Sequence, residues 1–366
     1  MKKSSLRVVT YGKAELAALI ESEWFQQSAN IPISRLRAIS QLNNPRLKET
    51  DVMLCVVYDG KDMAGYLGVL PDTIYGDNEQ AIHCGWLSCL WVDEKRRGSG
   101  IAKLLLQTMM ESWNDQILIT NFTEEAGALY ERSGRFGEVL KRYGKRFYLR
   151  FDTTAILKPK LHRVKFLAAV LPICDRLLNA LSDWRLKESK GDDFDWRPIT
   201  FTDQEVIQLV VNEQRQTLFR RGVEELQWIQ KHPWLTSSEE GNDRSRYYFS
   251  LWAARFENRL MGLYEHGKLT SILFITVRNG FVTVPYFLGN ASQSAAAFIV
   301  DLMIRERLNT LTVFDEGLRL AIETDARFLY QRAMARPYVF SKKLLAQMGE
   351  IDLGKFRDGD GDAVFT

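Results

Sequence analysis

The chain has 366 residues, 46% of them apolar, which is longer than one hydrophobic core usually organises, so two domains are expected. Its 49 Lys and Arg against 46 Asp and Glu leave a net charge of +3, too balanced to present an electrostatic footprint for DNA or RNA. No nucleic-acid partner is expected.

Taken in order, a short strand at Leu6 to Val9 leads into an amphipathic helix from about Lys13 to Gln26. Met53 to Tyr58 and Ala64 to Leu70 are apolar and rich in β-branched residues, and Asp59-Gly60-Lys61-Asp62 between them is a hairpin signal. Beyond a polar loop through Gly76-Asp77-Asn78, a fourth strand from Gly85 to Val92 stops at the charged segment Asp93 to Arg97. A glycine turn and a helix from Ile101 to about Trp113 follow, with Ile101, Leu104, Leu105, Thr108 and Ser112 on one face. A strand at Gln116 to Thr120, a helix around Ala126 to Arg132 and a strand within Gly144 to Phe151 complete this series.

From Ile156 to Lys187 the pattern is helical and basic, led by Lys158, Lys160, Arg163 and Lys165. It reads as a connector whose charges are solvated, or as a face for an anionic membrane. A second series follows: a strand at Trp196 to Ile199, a helix after Thr202, and strands at Phe249 to Arg255, Ser271 to Arg278 and Phe281 to Leu288. Asn279-Gly280 marks a hairpin between the last two. A helix at Ala295 to Arg307, a strand at Thr310 to Phe314, a helix at Leu318 to Tyr330 and a strand at Tyr338 to Ser341 then repeat the order of the first half. The expected fold is mixed α+β within the α/β group, a tandem pair of domains, each a mostly antiparallel twisted sheet flanked by helices. Their expected limits are residues 1–152 and 193–366, with 153–192 as linker.

Gly98 and Gly100 lie between an apolar strand and an amphipathic helix, where backbone N-H groups have no intrahelical partner. With the positive end of the helix dipole and flanking Arg96 and Arg97, such a turn suits a pyrophosphate. A Rossmann loop would need a βαβ unit and a later acidic residue, which the hairpins oppose, and a Walker loop would need a following Gly-Lys-Ser/Thr. Without a ligand it is a glycine turn with surface arginines. Arg97-Gly98-Ser99-Gly100-Ile101-Ala102, after strand residues Leu87 to Val92, resembles the Arg/Gln-x-x-Gly-x-Gly/Ala signature of the GNAT superfamily of N-acetyltransferases. Ala126-Gly127-Ala128-Leu129-Tyr130-Glu131-Arg132-Ser133-Gly134-Arg135-Phe136 is similar to that family's later Leu-Tyr-Glu motif. Glu94 stands where many members have proline, Thr123 where many have asparagine, and Arg135 is one extra residue before the phenylalanine.

The resemblance implies an enzyme that moves an acetyl or related acyl group from acetyl-coenzyme A to a primary amine of a small molecule or amino sugar. It implies that Arg97, Gly98, Ser99, Gly100, Ile101 and Ala102 hold the cofactor, that a backbone N-H near Leu90 to Val92 meets the thioester carbonyl, and that Tyr130 protonates the departing sulfur. A coenzyme A-binding scaffold without turnover, and aminoacyl transfer from charged tRNA, are the alternative functions. An amine with a pKa near 10.4 must lose a proton first, at a cost of about 4.6 kcal/mol at neutral pH. Glu79, His83 and Ser88 lie near the fourth strand, but none is singled out as the base. Cys89, with no histidine arrangement around it, reads as a structural thiol.

Cys55, Cys84, Cys89 and Cys174 match no zinc spacing and follow no secretory signal, so free thiols in a cytoplasmic protein, and no metal, are expected. The apolar run Phe166 to Cys174 is about half the length of a transmembrane helix, so no transmembrane segment is expected. Asp358-Gly359-Asp360-Gly361-Asp362 resembles the start of a calcium loop but lacks a twelfth-position glutamate. Trp228, His232, Pro233 and Trp234 read as core or as the lining of a cleft. In the second half, Gly289-Asn290-Ala291-Ser292-Gln293-Ser294 stands where the first half has its glycine turn, with one glycine and no arginine. It is expected to bind no coenzyme A and to cap its helix through Ser292 or Ser294, its domain walling the acceptor cleft.

Overall fold

A computed structural model describes residues 6–152, 165–184, 186, 195–238 and 242–365. In chain order these form strands β1 (Leu6–Tyr11), β2 (Leu54–Asp59), β3 (Asp62–Tyr75), β4 (Ala81–Val92), β5 (Ile117–Thr120) and β6 (Leu140–Tyr148). They continue with β7 (Asp195–Pro198), β8 (Phe256–Glu265), β9 (Lys268–Arg278), β10 (Phe281–Leu288), β11 (Thr310–Val313) and β12 (Tyr330–Phe340). The chain divides into two compact units, one built from Met1–Arg142, Val210–Ala253 and Arg336–Thr366, the other from Tyr143–Leu209 and Ala254–Ala335.

In the first unit the strand order is β1-β2-β3-β4-β5-β12, antiparallel except for the parallel pair β4 and β5. The Asp-Gly signal closes the β2–β3 hairpin, with Asp59 opposite Asp62 and Gly60 at φ 65°. Alternation along β2 sends Cys55 and Val57 into a core with Leu105, Met109 and Trp113. Leu54 and Val56 face the opposite way, toward Leu16, Phe25 and Ile31. Both faces of this sheet are therefore covered, which is why β2 reads as a continuous apolar run. The helix expected over Lys13 to Gln26 is two helices, Lys13–Glu21 and Glu23–Gln27, because Ser22 ends the first and its Oγ accepts the Phe25 amide to cap the second.

The second unit repeats the plan as β7-β8-β9-β10-β11-β6, again with one parallel pair, β10 and β11. Its Asn279-Gly280 turn has φ 48° and 87°, the double positive φ a tight hairpin demands. In each unit the last strand comes from the other half of the sequence. Tyr338 of β12 pairs with Thr120 of β5, and Tyr148 of β6 pairs with Thr310 of β11. The compact units thus cut across the expected limits of 1–152 and 193–366, because a hydrophobic pattern reveals a strand but not which neighbour it joins.

Two further expected elements differ. Residues 249–255 form no strand; Trp252 makes a lone bridge to Thr236, and β8 starts at Phe256. The helix expected over Leu318 to Tyr330 is Glu316–Glu323, because Arg327 folds back on Asp325 and Tyr330 opens β12. The connector helix is Lys165–Asp183, and residues 153–164, 185 and 187–192 of the expected linker lie outside the described residues. Among the described residues no helix is long and apolar enough to cross a membrane.

Candidate active site

The ladder between β3 and β4 slips by one residue, from Tyr66 opposite Trp91 to Gly68 opposite Ser88. Leu67 is then matched by both Cys89 and Leu90, a bulge in which Cys89 takes φ 58°. On the other edge of β4 the parallel pairing with β5 covers Gly85 and Trp86 alone. From Ser88 to Val92 the strand therefore runs past the end of its β5 ladder, and its edge is left for something other than a strand. Leu90 lies in this bulge and Val92 pairs with Gly65 beyond it, both half-buried against the core.

Past Val92 the chain makes a short 3-10 turn, Glu94–Arg96, then the glycine turn and the helix Ile101–Ser112. Gly98 and Gly100 sit at φ 81° and 87°, with nothing within 4 Å of where a Cβ would stand. Side chains rarely adopt that backbone, so glycine is required by the turn itself. The helix starts without a side-chain cap, leaving its first amides, at Ile101 and Ala102, directed outward. The two arginines divide. Arg96 is held by Asp93 at 2.7 Å, Asp59 at 3.2 Å and Asp62 at 3.3 Å, so it braces the turn. Arg97 is 58% exposed, 3.6 Å from Glu94, and is the cation presented outward. Open glycine backbone, uncapped helix amides and an exposed arginine make a cradle that fits a pyrophosphate.

Tyr130, on the helix Glu124–Ser133, is buried between Phe122 and Phe136. Burial pushes its phenol above the usual range, and the charge of Asp362 pushes the same way. Asp362 is the residue the sequence reading missed. Ser88 Oγ donates a hydrogen bond to its carboxylate, which joins the carboxylate to β4 at the residue just before the bulge. Burial raises the Asp362 carboxyl above the ordinary range, although the Ser88 bond and the charge of Arg37 draw it back in part. Arg37 is itself buried, donates to Cys89 Sγ and to Tyr247 Oη at 3.3 Å, and lies 4.1 Å from the Trp234 ring. Burial opposes its charge, but Cys89, Tyr247 and Asp362 outweigh that and keep it cationic.

The acidic triplet read as a calcium-loop fragment is a clamp. Asp358 takes Arg142 at 2.9 Å, Asp360 lies 3.8 Å from Arg221, and Asp362 takes Ser88. Gly361 at φ 85° passes so close to Trp86 that a Cβ would meet its ring at 3.1 Å. Phe365 then stacks on Trp234 at 4.7 Å and meets Trp228 edge-on at 4.8 Å, so both tryptophans are buried packing residues. The signal in the sequence was Phe356, Val364 and Phe365 flanking the Asp-Gly repeat, apolar residues that a solvated loop has no use for. Glu79 is exposed, while His83 Nε2 is engaged with Asp51 at 2.8 Å and Ser88 with Asp362. Among the described residues no group of three or more His, Cys, Asp or Glu is placed to hold a metal ion.

In the second unit a bulge also interrupts the ladder after Thr283, but the turn beyond β10 is filled. Ser271 Oγ accepts the Ala291 amide at 3.3 Å, and a Cβ at Gly289 would stand 2.5 Å from Ser271 Oγ. The helix Ser292–Arg305 has no side-chain cap, contrary to the expected use of Ser292 or Ser294, because Ser294 Oγ instead accepts Trp196 Nε1 at 3.0 Å.

Residues 50–134 match the family model described as acetyltransferase (GNAT) domain. No curated protein matches the chain. Among solved structures, a conserved protein from Enterococcus faecalis, a probable N-acyltransferase, is similar over 93% of this chain and 74% of its own at 11% identity, with a TM-score of 0.51. Saccharomyces cerevisiae N-myristoyltransferase with bound myristoyl-CoA is similar over 93% and 80%, at 11% identity and a TM-score of 0.50. A GCN5-related N-acetyltransferase from Kribbella flavida is similar over 92% and 71%, at 12% identity and a TM-score of 0.49. At such identities the first two speak for a shared fold.

Proposed function

Since residues 50–134 match the GNAT acetyltransferase domain, we propose that the chain is an acyltransferase of that superfamily and transfers an acetyl group from acetyl-coenzyme A to a primary amine of a small molecule or amino sugar. The observation that carries this reading is the open cradle at Arg97 to Ala102 beside a bulged strand, together with two buried titratable groups, Asp362 and Tyr130. Acetyl-coenzyme A supplies the activated acyl group as a thioester. Arg97 and the amides of Gly98, Gly100, Ile101 and Ala102 hold its pyrophosphate, the Ser99 amide being turned back to the Arg96 carbonyl, and an amide of the bulge near Leu90 to Val92 offers a hydrogen bond to the carbonyl oxygen. Free thiols at Cys55, Cys84, Cys89 and Cys174 suit a reducing cytoplasm. Release of free thiol from acetyl-coenzyme A in the presence of an amine panel tests the reading; a chain that binds the cofactor and releases no thiol with any amine is a scaffold instead.

Asp362 takes the proton of the incoming ammonium group. A buried carboxylate whose pKa is raised is a stronger base than a solvated one, while Arg37 and the Ser88 hydroxyl favour the ionised form that accepts the proton. The base works ionised, so kcat/KM is expected to fall as pH drops, with a midpoint above the ordinary aspartate value of about 3.9. Ser88→Ala removes a hydrogen bond to the ionised form and is expected to move that midpoint further up. Asp362→Asn is expected to lower kcat by about a hundredfold or more and to erase this acid limb. An Asp362→Asn enzyme with wild-type kcat and pH profile overturns the assignment.

Tyr130 gives its proton to the departing sulfur, whose conjugate acid has a pKa of about 8.5. Because burial and Asp362 hold the phenol protonated, it stays in its donor form through the working pH range. Tyr130→Phe is expected to lower kcat by about a hundredfold with little change in the affinity for acetyl-coenzyme A. Steady-state kinetics beside calorimetry separates the two quantities; turnover within about twofold of wild type would make Tyr130 a packing residue.

A further inference from the structure

The helix Lys165–Asp183 is docked backwards. Its polar residues Asp175, Asn179 and Asp183, four apart, share the inward face. Asn179 bonds both backbone groups of Phe151, accepting its N-H at 2.7 Å and donating to its carbonyl at 2.9 Å. Asp183 receives Arg150 Nε at 2.8 Å, from an arginine that is itself buried, and Asp175 is buried as well. The opposite face carries Ile173, Leu177, Leu181 and Trp184, which are 59%, 62%, 68% and 80% exposed. An ordinary surface helix buries its apolar stripe and exposes its polar one. Here the polar pins hold the helix to the second unit, and its apolar stripe is left in solvent.

The charge of the surrounding sequence is one-sided. From Lys158 to Lys187 the sequence holds Lys158, Lys160, Arg163, Lys165, Arg176, Arg185 and Lys187, against Asp175 and Asp183. Both acidic residues are on the docked face. An apolar stripe ending in tryptophan, within a segment of sequence rich in Lys and Arg, matches an anionic lipid surface, into which the leucines insert while lysine and arginine meet the headgroups. We propose that this face docks the protein on the surface of an anionic membrane. The helix lies in the interface and does not span it, consistent with a length and composition that cannot cross a bilayer.

The test uses the full chain and sedimentation with vesicles of phosphatidylcholine alone or with about one third phosphatidylglycerol. Binding is expected to the anionic vesicles, to weaken as salt is raised, and to be at least about tenfold weaker to phosphatidylcholine. Leu177→Glu with Leu181→Glu is expected to reduce vesicle binding by about tenfold or more. Because both leucines are already in solvent, the thermal midpoint and the rate of thiol release should stay at wild-type values, which distinguishes loss of docking from loss of the fold or the active site. Equal binding to both vesicle types, or anionic binding untouched by the double substitution, overturns the proposal. So does a chain that ignores vesicles but dissociates from dimer to monomer on the same substitution, since the face is then a contact between copies.

Discussion

Arg97→Glu combined with Gly100→Val is expected to abolish measurable binding of acetyl-coenzyme A. The first change replaces the exposed cation of the turn with an anion, and the nearby Arg96 has no freedom to replace it because Asp59, Asp62 and Asp93 hold it. A charge-assisted contact to phosphate is worth about 1.5 to 3 kcal/mol, and repulsion from the new carboxylate adds to its loss. The second change forces a β-branched residue to φ 87°, where it is strained, and so displaces the first amides of the helix Ile101–Ser112. Together these should weaken binding by on the order of a hundredfold or more. Isothermal calorimetry on the folded double variant decides it; near-wild-type affinity would sink the cradle. The same titration of the unmodified chain should give one coenzyme A per chain. Two would mean that the turn after β10, filled by Ser271 in this structure, opens to a ligand.

Asp72→Ala should cost about 3 to 5 kcal/mol of stability, the usual penalty for stranding a buried charge. Asp72 is fully buried and accepts hydrogen bonds from Arg46 at 2.7 Å, from Arg221 at 2.9 and 2.5 Å, and from Trp86 Nε1 at 2.8 Å. Removal leaves both guanidinium groups inside the first unit, with Glu225 at 2.8 Å from Arg46 and Asp360 at 3.8 Å from Arg221 as partial compensation. Burial alone would raise the Asp72 carboxyl, but Arg221 and Arg46 overcome it and hold the group below its usual value. A depressed folded-state pKa means that the stabilisation is fully present above the unfolded value of about 3.9 and is lost as pH falls through the folded one. Urea unfolding near neutral pH should therefore show the full difference between variant and wild type, and the difference should shrink at strongly acid pH. A loss under about 1 kcal/mol at neutral pH would show that the arginines are solvated on substitution.

The elements that carry the candidate cradle were legible because their signals are local. The strand before Asp93, the two glycines and the apolar stripe of the following helix lie within about 25 residues of one another, and each constrains its neighbours directly. Helix Arg35–Leu42 was missed, since Arg37, Ser40 and Gln41 are buried polar residues that break the apolar period. Asp362 was misread for a related reason. A repeat of Asp and Gly looks solvated until Arg142, Arg221 and Ser88, all distant in sequence, are brought to meet it. The inverted helix Lys165–Asp183 shows the same limit, since an amphipathic pattern gives the angle between two faces and not which of them turns inward.

The exchanged strands also set an order of events during synthesis. Tyr338 pairs with Thr120, so the edge of β5 stays open while the intervening 217 residues are made. An open edge of Leu118-Ile119-Thr120 is a template for any passing strand, and nascent chains emerge at roughly 5 to 20 residues per second. For some tens of seconds or less the first unit is therefore an incomplete sheet that a chaperone, or another nascent copy, can reach. A chain broken off before β12 would carry the whole glycine turn yet lack the strand that closes its sheet and the tail that brings Asp362 to Ser88. On the proposed role of Asp362, activity should appear only once β12 and the segment through Asp362 have been made, and ribosome-stalled intermediates short of β12 should be inert and prone to intermolecular pairing through β5.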